Sequence, residues 1–121
     1  MTNNKYDLEE RTAIFAENVI NLVRSIVITP YNKRIIEQLI GSSGSIGANY
    51  AEANESESKR NFIHKNGIVK KEIKETKHWF RLLAKTNPEK ANGLRILWKE
   101  TQELLLIFSK IVRSAKSNKV V

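Results

Sequence analysis

Apolar residues recur every three and four positions through four successive stretches of this chain. The clearest run is the last: Leu94, Leu97, Thr101, Leu104, Phe108, Ile111 and Ala115, flanked seven residues apart by Trp98, Leu105 and Val112. That is the period of an α-helix with one broad buried face, and it excludes the two-residue alternation of a half-buried strand. No Asn-Gly or Asp-Gly turn connects apolar strands. The spacing therefore predicts an all-α chain.

Punctuation divides the pattern into four helices. The first is predicted from Asp7, with Asp7 and Glu10 placed as a capping-box-like pair, and it ends at Thr29-Pro30 because proline disfavours a helical residue before it. Leu8, Thr12, Phe15, Val19, Leu22 and Ile26 form its stripe, which Ile14, Ala16, Ile20, Val23 and Val27 widen, so it should touch more than one neighbour. A second helix is expected from about Pro30 to Glu55. Gly41, Gly44 and Gly47 weigh against it, at about 1 kcal/mol each relative to Ala. Either a Ser/Gly loop interrupts the region, or small residues admit another backbone. Gly41, Gly44, Ala48 and Ala51 fall at three-four-three spacing, which favours close approach.

Ser56 or Ser58 can cap a third helix reaching about Lys85, with Phe62, Asn66, Val69, Ile73, Thr76, Phe80 and Leu83 inward. Asn87-Pro88 restarts the chain as the fourth helix, in which Gly93 marks a kink or loop. Short polar links imply antiparallel neighbours in an up-down-up-down four-helix bundle. Its 121 residues suit one core, so a single bundle domain is expected over residues 1–121, with the core at about 7–115 and a frayed basic tail at 116–121.

The chain has no cysteine, which removes disulfides, thiolate metal sites and cysteine catalysis. Residues 1–7 carry no signal-peptide core, and no apolar run approaches the ~20 residues of a membrane span. A cytoplasmic protein with no membrane association is the expectation.

Charge is unevenly placed. Residues 1–58 hold five Lys/Arg and eight Asp/Glu, net −3, whereas residues 59–121 hold sixteen and five, net +11. Such a split suits a polyanion partner, RNA or DNA, although surface lysines also serve solubility alone. Lys70, Lys74, Lys77, Arg81 and Lys85 stack at four-three-four-four spacing along the third helix, with Lys71 and His78 beside them. This is the track a phosphate backbone requires, and Glu72 and Glu75 interrupt it only by pairing with nearby lysines. Trp79 and Tyr50 are the candidate base-stacking rings. An ordinary solvated helix face is the plainer reading. No RNP motif or zinc knuckle is present, so recognition by shape and backbone is expected.

A second stripe, Gln38, Ser42, Ser45, Asn49 and Glu52, is polar yet free of lysine. Short hydrogen-bonding groups at this spacing suit a packed polar interface, within the bundle or between subunits, better than a solvated face.

Catalytic constellations are thin. Glu75 and His78 form one Glu-x-x-His motif, but a di-metal bundle site needs two such motifs and two further carboxylates, and Lys74 and Lys77 oppose a cation there. His64 has no glutamate three residues before it. Gly41-Ser42-Ser43-Gly44 lacks the Gly-Lys-Ser/Thr of a P-loop, and no Ser-His-Asp set is legible. Neither enzymatic activity nor a cofactor or metal is expected.

The run from Gln38-Leu39-Ile40 to Ser45-Ile46-Gly47-Ala48-Asn49-Tyr50-Ala51-Glu52-Ala53 resembles the central signature of the 23S rRNA intervening-sequence, or S23, family of four-helix bundle proteins. Ser58 to Phe62 is similar to its helix-three entry. Lys71-Glu72, Glu75 and Trp79-Phe80-Arg81-Leu82-Leu83 are similar to its next segment, and Glu100 with Leu104 to Ile111 fits its closing helix. The resemblance spans about residues 8–113, with the glycine-rich Gly41 to Gly44 as its departure. It implies a bundle that assembles into a ring, most readily a homopentamer, encoded in bacteria within 23S rRNA genes or elsewhere on the chromosome. A similar bundle is the accessory protein of diversity-generating retroelements, in which a basic pentamer engages RNA and a reverse transcriptase. The expectation is thus a homo-oligomeric accessory protein binding RNA or DNA through helix three and the C-terminal segment. The alternative is a scaffold that docks an acidic protein.

Overall fold

The computed structural model describes residues 7–117. Four helices follow one another: α1 (Leu8–Arg24), α2 (Lys33–Asn54), α3 (Lys59–Thr86) and α4 (Ala91–Ser117), with a 3-10 turn at Pro88–Lys90 before the last. They form an antiparallel up-down-up-down bundle. Backbones neighbour one another in the cycle α1, α2, α3, α4 and back to α1, the last contact being the sparsest. Diagonal helices meet through side chains at the centre. Phe15 of α1 meets Phe80 of α3 edge-on at 6.2 Å between ring centroids, and Tyr50 of α2 meets Phe108 of α4 at 5.2 Å. These edge-to-face pairs complement ring quadrupoles, and each fully buried Phe contributes about 2–3 kcal/mol through removal from water.

The inward seams follow the sequence closely, with local shifts. Phe62 is only half-buried at the entry to α3. Toward the end of α4, Val112 is buried while Ile111 and Ala115 are half-exposed. In α1, Ile14 and Ile20 remain exposed, so the wide stripe overstates its buried arc.

Helix ends depart further. Asp7 occupies the N-cap position of α1 without a side-chain cap bond, so the Asp7–Glu10 capping pair does not form. α1 ends at Arg24, five residues before Thr29, where Ser25 N–H and Ile26 N–H turn back to Leu22 O and Val23 O. The intervening chain is held by reciprocal bonds: Thr29 N–H donates to Asn32 Oδ1 at 2.8 Å, and Asn32 N–H donates to Thr29 Oγ1 at 3.2 Å. This is a capping box with asparagine in the place of glutamate, and Pro30 fits it because it lacks the N–H that would go unused. Ser58 rather than Ser56 caps α3, accepting Asn61 N–H at 3.0 Å.

The glycine segment is helical throughout. Gly47 explains itself: a Cβ there would lie 3.0 Å from Thr12 Oγ1 and 3.4 Å from Thr12 Cβ, so α1 can approach only a bare backbone. Around Gly41 and Gly44 a Cβ would meet nothing within 4 Å. Gly93 is not in a loop; it lies inside α4, where a Cβ would come 3.0 Å from Leu22 Cδ1.

Candidate nucleic-acid interface

The outer side of α3 and its seam with α4 gather most of the positive charge. Lys71, Lys74, Arg81 and Lys85 are exposed, while Lys70 and Lys77 are half-buried toward α4. Across the seam, α4 contributes exposed Arg95, Lys99, Lys110, Arg113 and Lys116. None of Lys70, Lys71, Lys74, Lys77, Arg81 or Lys85 is ion-paired; the pairs seen among the described residues join Arg11 to Glu100 and Glu103, and Lys65 to Glu52. The expected pairing of Glu72 and Glu75 with ridge lysines is therefore absent. Glu72 lies one turn before Thr76, on the flank facing α2. Desolvation pushes its carboxyl above the usual range, Glu75 adds to the shift, and Lys71 opposes it.

Glu100 and Glu103 could have neutralised this surface, but they turn to α1. Arg11 donates to both oxygens of Glu100, at 2.8 and 3.0 Å, and to Glu103 at 2.8 Å. The hydrogen bond with Glu100 raises the Arg11 pKa further, Glu103 adds to it, and burial opposes both. Acidic groups of α4 thus close the sparsely packed α1–α4 side, leaving the α3–α4 side basic.

Lys77 bridges the seam. Its ammonium donates to Gln102 Oε1 and sits 4.9 Å from the Trp98 ring centroid, a cation–π arrangement. Lys77 is accordingly less available to an outside anion than its neighbours. Toward the α3–α4 turn lies a groove bordered by Arg81, Arg95, Trp98 and Lys99; toward the other end, Lys70, Ser109, Arg113 and Lys116 border a second.

The stacking rings read from the sequence fall elsewhere. Tyr50 is buried against Phe108, and Trp79 is half-buried with His78 edge-on to it at 5.0 Å. Trp98, read as a flank of the core, is 37 % exposed on the basic side. Its signal was Arg95 and Lys99 within one turn, a basic setting unsuited to a fully buried ring.

The polar stripe of α2 runs along its α3 side. Ser42 is buried and accepts Thr76 Oγ1–H at 2.9 Å; Glu52 accepts Lys65 Nζ at 2.6 Å. Ser45 and Asn49 bond within their own helix, to Gly41 O and Ser45 O, each at 2.9 Å. Gln38 is half-buried. Ser42 and Glu52 therefore reach across to α3, whereas the other three make no such bond.

Glu75 and His78 are both exposed. Among the described residues, no group of three or more His, Cys, Asp and Glu side chains could hold a metal ion. No helix among them is long and apolar enough to cross a membrane.

Residues 4–110 match the family model described as 23S rRNA-intervening sequence protein. The chain belongs to this family. The bundle is also similar to the crystal structure, at 1.70 Å resolution, of a protein of unknown function from the S23 ribosomal protein family of Bacteroides thetaiotaomicron. That likeness covers 86% of this chain and 96% of the other, with 27% identity and a TM-score of 0.75. No curated protein matches. Within this 23S rRNA-intervening sequence family member, the residues that carried the resemblance fall on α2, on the start and the C-terminal half of α3, and on α4.

Proposed function

We propose that this 23S rRNA-intervening sequence family protein is a non-enzymatic, homo-oligomeric accessory protein that binds RNA or DNA through its α3–α4 face. One observation carries the reading: Lys70, Lys71, Lys74, Arg81 and Lys85 line α3 without a carboxylate partner and continue into the cations of α4. Unpaired surface cations in a row release counterions from a polyphosphate, and affinity then falls steeply with salt.

The opposite side, formed by α1 and α2, supports self-association. Exposed Ala13, Ile20, Ile40, Gly41, Gly44 and Ala48 give it a low, weakly polar relief. Copies meeting there would leave the basic faces outward, and the resemblance implies five in a ring. Repetition of a weak phosphate site would raise avidity where the geometry lets several engage together.

A second reading, a scaffold for another protein, is favoured by the α1–α2 connection. Val27 and Tyr31 are 79% and 81% exposed there, with Ile28 between them. Exposed apolar side chains on a braced loop suit a protein contact, a reverse transcriptase being the partner class the resemblance implies. Purification from the native host, with and without nuclease, separates the readings. The first expects bound nucleic acid that high salt strips off; a nuclease-resistant protein partner and no nucleic acid would replace it with the second. Light scattering on the same sample reports the number of copies.

A further inference from the structure

The groove near the α3–α4 turn has a composition that phosphate binding alone does not require. Its floor is apolar, built from Phe80, Ala84, Ala91 and Leu94, and Trp98 forms part of its wall. Arg81, Arg95 and Lys99 border it, and no carboxylate lines it. The indole is held in place, since Lys77 packs 4.9 Å from its centroid while bonded to Gln102. Arg95 is steadied by donating to Asn92 Oδ1 at 3.2 Å. An aromatic side chain that is already positioned loses little rotamer freedom when a ligand stacks against it.

We propose that this groove receives an unpaired nucleobase, stacked against Trp98, with the flanking phosphates held by Arg81, Arg95 and Lys99. The inference rests on the nucleic-acid reading above and narrows it to single-stranded segments at this end of the seam. Charge complementarity selects the ligand class: three cations surround an apolar slot with an aromatic wall, and a nucleotide joins an anion to a flat π-face in one unit. Arginine also suits both tasks, since its planar fork binds phosphate and stacks on rings. An acidic peptide would use the cations but leave the indole and apolar floor without a role.

The test compares a short oligodeoxyadenylate with an abasic strand of the same length, each titrated into the full-length protein at one salt concentration. The adenylate is expected to bind more tightly. Trp98→Ala should weaken adenylate binding by about 5- to 100-fold, the range for loss of a base-stacking aromatic, and move the abasic strand by less than about twofold. Trp98→Phe should retain most of the adenylate affinity. In a Trp79→Phe background, which needs no change at Trp98, adenylate should quench tryptophan fluorescence and the abasic strand should not. Equal binding of both strands without quenching would overturn the stacking site while leaving the phosphate surface intact. Quenching by poly-glutamate as strong as that by adenylate would assign the groove to an acidic peptide instead. If neither strand binds at any salt concentration, the nucleic-acid reading falls together with it.

Discussion

Asn32 donates through Nδ2 to Asn87 Oδ1, 3.0 Å away, in a buried bond that ties the α1–α2 connection to the α3–α4 connection. The same Asn32 amide reaches Val27 O at 3.0 Å, and its Oδ1 takes Thr29 N–H. One side chain thus braces the loop that displays Val27, Ile28 and Tyr31. Asn32→Leu leaves Thr29 N–H and Asn87 Oδ1 each short of a bond, so a loss of about 3 kcal/mol in unfolding free energy is expected from urea titration. A change below about 0.5 kcal/mol would mean that the loop holds itself.

Glu72 sets a pH dependence. Its folded carboxyl is raised by desolvation and by Glu75, so protonation favours the fold. That contribution is complete below the unfolded carboxylate pKa and is lost as pH rises through the raised folded value, leaving a penalty at neutral pH. Glu72→Gln should raise the Tm at pH 7, with the gain shrinking as the pH is lowered into the carboxylate range. Melting curves of both proteins across acidic to neutral pH check the sign; a variant less stable at pH 7 would contradict it.

The three glycines of α2 should respond differently to alanine. At Gly47 the added methyl meets Thr12 Oγ1 at 3.0 Å and Thr12 Cβ at 3.4 Å, so α1 must shift and stability should fall. Gly41→Ala and Gly44→Ala meet nothing within the protomer and should each add about 0.5–1 kcal/mol to its stability through helix propensity. If copies associate through the α1–α2 side, the same two substitutions should weaken the oligomer. Unfolding and light scattering of each variant separate the two effects.

Much of the fold was legible in the sequence because burial follows period. Most of the seams of α3 and α4 follow from spacing alone, which also narrowed the α3 cap to Ser56 or Ser58. Helix ends were less legible because bonding across the chain decides them: α1 stops at Arg24, and Thr29 with Asn32 opens the next turn in a box without an acidic residue. Gly47 and Gly41 look alike in the sequence, and only packing against Thr12 distinguishes them. At the basic face, spacing located the row on α3. It did not reveal that Glu100 and Glu103 are drawn to Arg11, nor that Trp98 rather than Trp79 or Tyr50 stands beside the cations. Those facts depend on which helix lies across the seam.

Asn66 is fully buried with its Oδ1 unpartnered, while Nδ2 donates to Phe62 O at 3.0 Å. An orphaned buried acceptor costs about 1–3 kcal/mol, so Asn66→Leu, of similar size, should stabilise the bundle by about 1 kcal/mol or more. Thermal unfolding measures it, and a destabilised variant would contradict it.

The basic α3–α4 face is tested most directly by fluorescence anisotropy of a labelled single-stranded RNA over a range of salt concentrations. The native protein is compared with a Lys70→Gln, Lys74→Gln, Arg81→Gln variant. Loss of these cations should weaken binding at low salt and make the log–log salt dependence shallower by about 0.7 for each phosphate contact removed. Identical affinity and slope for the two proteins would contradict the assignment of this face to nucleic acid.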